Sequence, residues 1–415
     1  MIVSTKKTKN MIYSLSRKNI WRNKVRSLIV MGSVTVGLIC GIFFIAFMNG
    51  MTVQRINSAI KSEVSHIQIH NPAFLDDNEV QYTIPNIAEI TNLLDTTSTI
   101  MAYAPRITIT GMIGSARSSE GVKIVGINPD KERMVTDIHT KITDSVPNYF
   151  GKKRPIMISK RLADKMRVKL NSKIVLTFQS TTGELTGAPF KVTALYQTSN
   201  KVFDEMMVFV PQQKIAAIAG LKSNQAHEIA ILLKSDLQTA DTKENITEAF
   251  PNITVRTWKK IMPELGMMVD MMDSMLYVFM IIILVALAFG IINTMMMAVL
   301  ERQREIGMLM AIGMNKKRVF TMIMLETIYI SMTGAIVGML ISHLILFTLA
   351  NTGIDMSLYA EGLEAYGYDK IIYPAIDLIH YINISVLVVI IAIVSSIWPA
   401  RKALKLKPAV SMRIE

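Results

Sequence analysis

Four stretches of this chain run without a charge for longer than a helix needs to cross a bilayer: residues 27–54, 274–300, 327–354 and 378–400. About 20 apolar residues span the hydrocarbon core, so each predicts a membrane helix. The third is broken only by His343 and follows an apolar half-turn from Val319 that holds Glu326; His380 sits at the edge of the fourth. The predicted spans are 27–50, 274–300, 319–350 and 378–400. The first does not read as a cleaved leader. Its basic flank is too long, its apolar run exceeds a leader's, and no small-residue cleavage site follows. A lipid-modified cysteine at Cys40 is disfavoured by Ile39, which stands where such sites need a small residue.

Between the first two spans the pattern changes. Alternation or β-branched runs predict strands at 66–70, 106–110, 122–127, 173–178, 190–196, 206–210, 229–233 and 253–258. Helical spacing appears at 87–94, 160–166, 212–219 and 243–250. This mixed order predicts a large α+β extracytoplasmic domain over 51–270, built as two small subdomains. Asn71-Pro72 and the polar residues after it predict a loop. No internal repeat or low-complexity segment is visible.

Composition agrees with a membrane protein: of 415 residues, 51% are hydrophobic and 19% charged. One cysteine rules out an internal disulfide framework and a Cys-rich metal site. The net charge of +13 would suit nucleic acid or an anionic surface, so its distribution decides. Residues 1–26 carry Lys6, Lys7, Lys9, Arg17, Lys18, Arg22, Lys24 and Arg26 and no acid. The 301–318 loop and the 401–415 tail are also basic, whereas 51–273 is nearly balanced and the 351–377 loop is acidic. Positive residues concentrate on the cytoplasmic side, which places both termini and the 301–318 loop inside. The charge is a topology signal, and no nucleic-acid partner is implied.

Candidate chemistry is sparse. No phosphate-binding G-x-x-x-x-G-K-[ST], H-E-x-x-H or G-x-S-x-G occurs, so the chain is read as non-catalytic, binding no cofactor or metal itself. His66 and His70 lie on one strand face about 13 Å apart, too far to share a metal ion, and read as structural or solvent-facing. Glu326 and His343 are about 25 Å apart along one helix and cannot act as a pair; Glu326 reads as interfacial or paired with a basic neighbour. Methionine is abundant, with 31 residues. Met267 and Met271, with Met268 between them, lead at helical spacing into the second span, and Met48 closes the first beside Phe43, Phe44 and Phe47. These seven side chains are a candidate apolar collar for acyl chains, against the plainer reading of ordinary packing. Gly37-x-x-x-Gly41 and Gly334-x-x-x-Gly338 permit close helix approach without naming a partner.

The loop between the second and third spans reads Glu301-Arg-Gln-Arg-Glu-Ile-Gly-Met-Leu-Met-Ala-Ile-Gly-Met314. A flat helix there would carry an apolar ridge at Ile306, Leu309, Met310 and Gly313, shaped to receive a partner. The segment resembles the E-R-x-x-E-I-G-x-x-x-A-x-G signature of the MacB/FtsX permease superfamily. Arg17-Lys-Asn-Ile-Trp-Arg-Asn-Lys-Val-Arg-Ser27 resembles that family's basic helix before the first span. Trp398-Pro-Ala-Arg-Lys-Ala403 with Lys407-Pro-Ala409 resembles its ending. The resemblance covers the whole chain, with an FtsX-like permease region at 274–408, and length and Phe47-Met-Asn-Gly50 are most like the lipoprotein-releasing LolC/LolE type. One departure is Asn171-Ser172, where these domains often have Gly-Asp; Asn tolerates the left-handed conformation such a turn needs.

The resemblance implies a dimer of permease chains in the bacterial inner membrane, paired with ABC ATPase subunits that bind ATP and magnesium. Closure of the ATPases would move the spans and the outer domain, a mode called mechanotransmission. It assigns ATPase coupling to Glu301, Arg302, Arg304, Glu305, Ile306, Gly307, Leu309, Ala311 and Gly313. It also sets the segment 179–189, with Gly183, Glu184, Leu185 and Pro189, where one such permease projects a hook toward a periplasmic lipoprotein carrier; an ordinary surface hairpin is the other reading. The implied function is lipoprotein release. The alternatives are MacB-like efflux of drugs, peptides or toxins, and FtsX-like control of a cell-wall hydrolase. Reporter fusions at Asp95 and Asp241 should read extracytoplasmic, and at Lys316 and Lys405 cytoplasmic; a cytoplasmic Asp241 would overturn the topology.

Overall fold

A computed structural model describes residues 24–404. The basic segment before Lys24 and the Lys407-Pro-Ala409 ending lie outside the described residues. The described residues divide into two compact units, one of residues 24–51, 271–354 and 372–404, the other of 52–270 and 355–371.

The first unit holds the four long helices, Lys24–Ser58, Pro263–Glu301, Lys316–Thr352 and Leu378–Ala403, two of which run on into the second unit. Each is apolar and long enough to cross a membrane. The reason is backbone chemistry: without water, every N–H and C=O must be satisfied within the segment. The small residues name their partners. A Cβ on Gly334 would lie 2.9 Å from the Met31 carbonyl, one on Gly338 would meet Leu38, and Thr35 Oγ1 donates to the Gly334 carbonyl at 2.9 Å. Gly37 faces Leu287 and Gly41 faces Ile384. The first span is thus gripped by the other three, with Val34, Leu38 and Ile42 fully buried among them. Small-residue pairs let helices approach closely enough for dispersion to hold them.

The second unit is α+β. Its strands are β1 Ile67–His70, β2 Ile100–Gly114, β3 Ser119–Ile127, β4 Ile142–Ser145, β5 Pro155–Ser159, β6 Lys173–Gln179, β7 Leu185–Tyr196, β8 Met207–Pro211, β9 Glu228–Leu233 and β10 Thr254–Thr257. β2 pairs β3, β3 pairs β8, β8 pairs β5, β5 pairs β7, β7 pairs β6, and β6 returns to β2. The pairings therefore close into a six-stranded barrel, which removes its open edges. Alternate residues Ile107, Ile109 and Ile113 of β2 fill its interior with Leu176, Phe178 and Phe190. The first half of β2 leaves the barrel to pair β9, which continues through β1 to β10. Helices Ile87–Thr96 and Thr239–Ala249 contribute Ile90, Leu94 and Ile246 to that second core. The two subdomains share one strand.

Three local features depart from or refine the sequence reading. The stretch after Asn71 is a helix, Pro72–Asp77, and not a loop: the Asn71 side chain accepts the Ala73 N–H at 3.0 Å, and proline suits a first helical turn. Asn171 has φ 69°, and its N–H donates to the Val192 carbonyl at 2.8 Å, so the left-handed turn survives without glycine. Residues 355–371, expected as part of a plain loop between spans, belong to the second unit. Arg161 donates to Glu364 at 2.6 Å, Arg55 Nε to the Tyr366 carbonyl at 2.9 Å, and Ser199 to Asp369. Burial pushes the Asp204 carboxyl, which also accepts from Arg161, up to about 6, though its bonds from Thr198 and Arg161 oppose that rise.

Candidate functional site

The segment joining the second and third long helices folds as a short helix, Gln303–Ala311. Its apolar stripe divides in two. Ile306 is 2% exposed within the span core, Gly307 is buried beside it, and Met310 packs against the same cluster. The other face carries Arg304, Met308, Ala311 and Ile312, one face by their spacing, with Met308 55% and Ile312 79% exposed. The ridge expected to meet a partner is therefore corrected. Ile306 and Met310 anchor the helix to its own bundle, because an amphipathic helix beside an apolar core buries its greasier stripe there first. Leu309 is half-buried, between the two faces. Met308 and Ile312, not singled out from sequence, are the apolar side chains left outward.

Gly313 ends this helix. Its φ is 101°, its N–H donates to the Met310 carbonyl at 3.1 Å, and the Met314 N–H donates to Leu309 at 2.9 Å. That pair of bonds with a left-handed glycine is a Schellman stop, so Gly313 is needed for the turn. Asn315 then caps the third span, its side chain accepting the Lys317 N–H at 3.2 Å.

Arg302 fixes the start of the helix. Its Nη1 donates to both Glu326 oxygens, at 2.9 and 3.0 Å, and its Nε to Glu305 at 3.1 Å. Val30, Met295, Val299 and Ile323 surround the pair. Glu326 thus has the basic neighbour expected for it, though the neighbour is Arg302 and not Arg318. The pair is part-buried, and removing Arg302 would leave the Glu326 carboxylate among apolar side chains, whereas removing Glu326 would leave Arg302 with Glu305. His343 is exposed on the same long helix. Glu301 lies at the exposed end of the second long helix.

The candidate collar residues fall into different compact units. Phe43 stacks on Phe47 at 6.3 Å, and Phe44 meets Phe279 at 4.7 Å; Met48 is half-buried. Met268 packs beside Ile60, Trp258 and Leu265, and Met267 and Met271 are exposed. Phe44 and Met268 thus have packing partners within the chain, and Met267 and Met271 are the exposed pair of the set.

The segment 179–189 is a hairpin tighter than its sequence suggested. β6 runs to Gln179 and β7 starts at Leu185, with Pro189 already paired opposite Val175. Only 180–184 form the turn, closed by Ser180 N–H to the Glu184 carbonyl at 2.9 Å, with Gly183 at φ 78°. Leu185 is 76% exposed beside it. The expected structural histidines are buried and bonded: His66 Nδ1 accepts the Leu233 N–H at 3.1 Å, and His70 lies 3.1 Å from both the His227 carbonyl and Gln68.

Residues 27–249 match the MacB-like periplasmic core domain, and residues 277–408 match the FtsX-like permease C-terminal region. The chain is 19% identical over 91% of its length, and 91% of the relative's, to the lipoprotein-releasing system transmembrane protein LolE of Haemophilus influenzae. It is 22% identical over 95% of its length, and 96% of the relative's, to LolC of Neisseria meningitidis serogroup B. It is also 30% identical to the macrolide export ATP-binding/permease protein MacB of Syntrophobacter fumaroxidans, over 40% of this chain and 21% of that one. With a core-domain match spanning more than half its residues and a permease match over its last three helices, this multi-pass membrane chain belongs to the MacB/FtsX permease superfamily.

Proposed function

We propose that this chain is the membrane subunit of an ABC transporter in the bacterial inner membrane, and that it releases lipoproteins from that membrane. The observation that carries the reading is similarity to LolE and LolC along nearly the whole of each chain, outer domain included. A separate ATPase would hydrolyse ATP with magnesium, and a second permease copy or a paralogue would complete the dimer. The split helix supports mechanical coupling. Arg304, Met308 and Ile312 face outward, while Ile306 and the Arg302–Glu326 pair tie the same helix to the spans. A push on its outer face would reach the third span through a part-buried ion pair rather than through a slack loop.

Efflux of the MacB kind is the second reading, favoured by the shared identity with that exporter. Reconstitution with the cognate ATPase in proteoliposomes separates the two. ATP-dependent appearance of a triacylated lipoprotein in a soluble carrier supports release; ATP hydrolysis without it, together with export of a macrolide or peptide, overturns it. Deleting 182–184 in that assay tests the hook reading of the hairpin. Transfer to the carrier should fall while extraction continues, and unchanged transfer leaves an ordinary hairpin.

The outward face gives a sharper expectation. Met308→Asp combined with Ile312→Asp should lower ATPase association in pull-down by about tenfold or more, since burying two apolar side chains contributes roughly 1.5–3 kcal/mol each. The protein should still fold, because both side chains are exposed in the chain alone. Undiminished association would place the docking face elsewhere.

A further inference from the structure

Strand register sets a row of side chains on the outer face of the barrel and its extension. His70 lies opposite Glu228, and Glu228 opposite Arg106. Thr108 lies opposite Val125, Val125 opposite Phe209, and Lys123 opposite Met207. Directly paired residues project from the same side of a sheet, so this row forms one floor. Ile107 and Ile109, the alternate positions, point into the barrel. Over the floor lie the π-helical turn Ala59–Val64, the helix Lys201–Met206 and the short helix Trp258–Ile261. Together they border an open-mouthed cavity of about 290 Å³.

The cavity is polar at one end and apolar at the other. At the polar end, Arg106 donates to Glu132 at 2.7 and 3.0 Å and to Glu228 at 2.8 Å, and all three side chains are buried. At the apolar end stand Val125, Val202, Phe203, Met206 and Phe209. Two polar groups at the junction are left open to a ligand. Thr108 is 3% exposed, and its Oγ1 has no hydrogen-bond partner among the described residues. Lys123 lines the same cavity and forms no ion pair within 4.0 Å among the described residues; of the lining carboxylates, Glu132 and Glu228 are held by Arg106 and Glu63 by Arg55. A buried hydroxyl without a partner costs about 1–3 kcal/mol, and apolar walls around a void forgo dispersion contacts. One molecule could relieve both.

We propose that this cavity is a binding site for a small amphiphilic carboxylate. Its carboxylate oxygens accept from Thr108 Oγ1 and the Lys123 ammonium, and its hydrocarbon lies against Val125, Phe203 and Phe209. At about 30 Å³ per water-sized group the space holds on the order of ten heavy atoms, the size of octanoate. Three glutamates line the cavity, Glu63, Glu132 and Glu228, and they do not forbid an anion: Arg55 pairs with Glu63 at 2.8 Å, Arg106 holds the other two, and Lys123 adds a further positive charge. They do require that the head be a single negative charge, placed on the Lys123 side. This site is independent of how the chain meets its ATPase, and it stands whether the transporter releases lipoproteins or exports drugs.

The test uses the full chain in lipid nanodiscs, with sodium octanoate as probe and octyltrimethylammonium as the charge-reversed control of equal tail length. Amide hydrogen exchange is followed across 199–209. Octanoate should protect this segment saturably and the cationic probe should not. Lys123→Met should raise the half-saturating concentration about tenfold or more, the loss expected for a charge-assisted hydrogen bond. Thr108→Val keeps the shape and removes the unpaired hydroxyl. It should weaken octanoate binding while leaving the melting temperature of the unliganded protein unchanged or higher, which separates ligand contact from a structural role. Equal protection by both probes, no protection by octanoate, or wild-type binding in both variants would overturn the assignment.

Discussion

The contact between Arg302 and Glu326 is the constraint on which the rest of the permease region depends. A carboxylate among apolar side chains of three long helices is unfavourable unless an opposite charge reaches it. Arg302, just past the end of the second long helix, does so. Meeting that requirement draws Arg302 inward, sets the angle at which the next helix leaves, and turns Ile306 into the span core while Met308 and Ile312 stay outside. Gly313 then closes the helix in a conformation that a side chain would strain, and Asn315 starts the third span. Sequence, turn chemistry and burial agree on one geometry for a nine-residue helix too short to be stable alone.

The outer unit answers a different problem. It must be a rigid body if movement of the spans is to do anything useful, and closure of six strands into a barrel supplies that rigidity without exposed edges. The chain passes between the two units four times, twice within uninterrupted helices. The remaining two passages flank residues 355–371, which the outer unit holds through Arg161–Glu364 and Arg55 to the Tyr366 carbonyl. On the proposed function, the second extracytoplasmic loop is a strap of the moving body rather than a slack connection between spans.

The spans were legible because absence of charge over so many residues has few other causes, and most strands because alternation with β-branched residues is a direct signature. The helix after Asn71 was not, since a proline that breaks helices in their interior is welcome in their first turn, and composition alone does not say which applies. β5, Pro155–Ser159, is buried on both faces and so shows no alternation. The superfamily signature lies on the short helix Gln303–Ala311, but which side of it would face inward depended on Glu326, twenty-four positions beyond Arg302 and silent in any local pattern. The cavity beside Thr108 was invisible for the same reason. It is assembled from strand register and from segments far apart in the chain.

On the proposed function, the Arg302–Glu326 ion pair transmits force between the short helix and the spans. Charge exchange tests it most directly, in reconstituted transporter with ATP hydrolysis and cargo movement measured together. Glu326→Arg alone and Arg302→Glu alone should each uncouple hydrolysis from movement, and the double exchange, Arg302→Glu with Glu326→Arg, should restore much of the coupling because the pair is re-formed with reversed polarity. A double exchange no better than either single change, in protein shown to be folded and assembled, would contradict the claim.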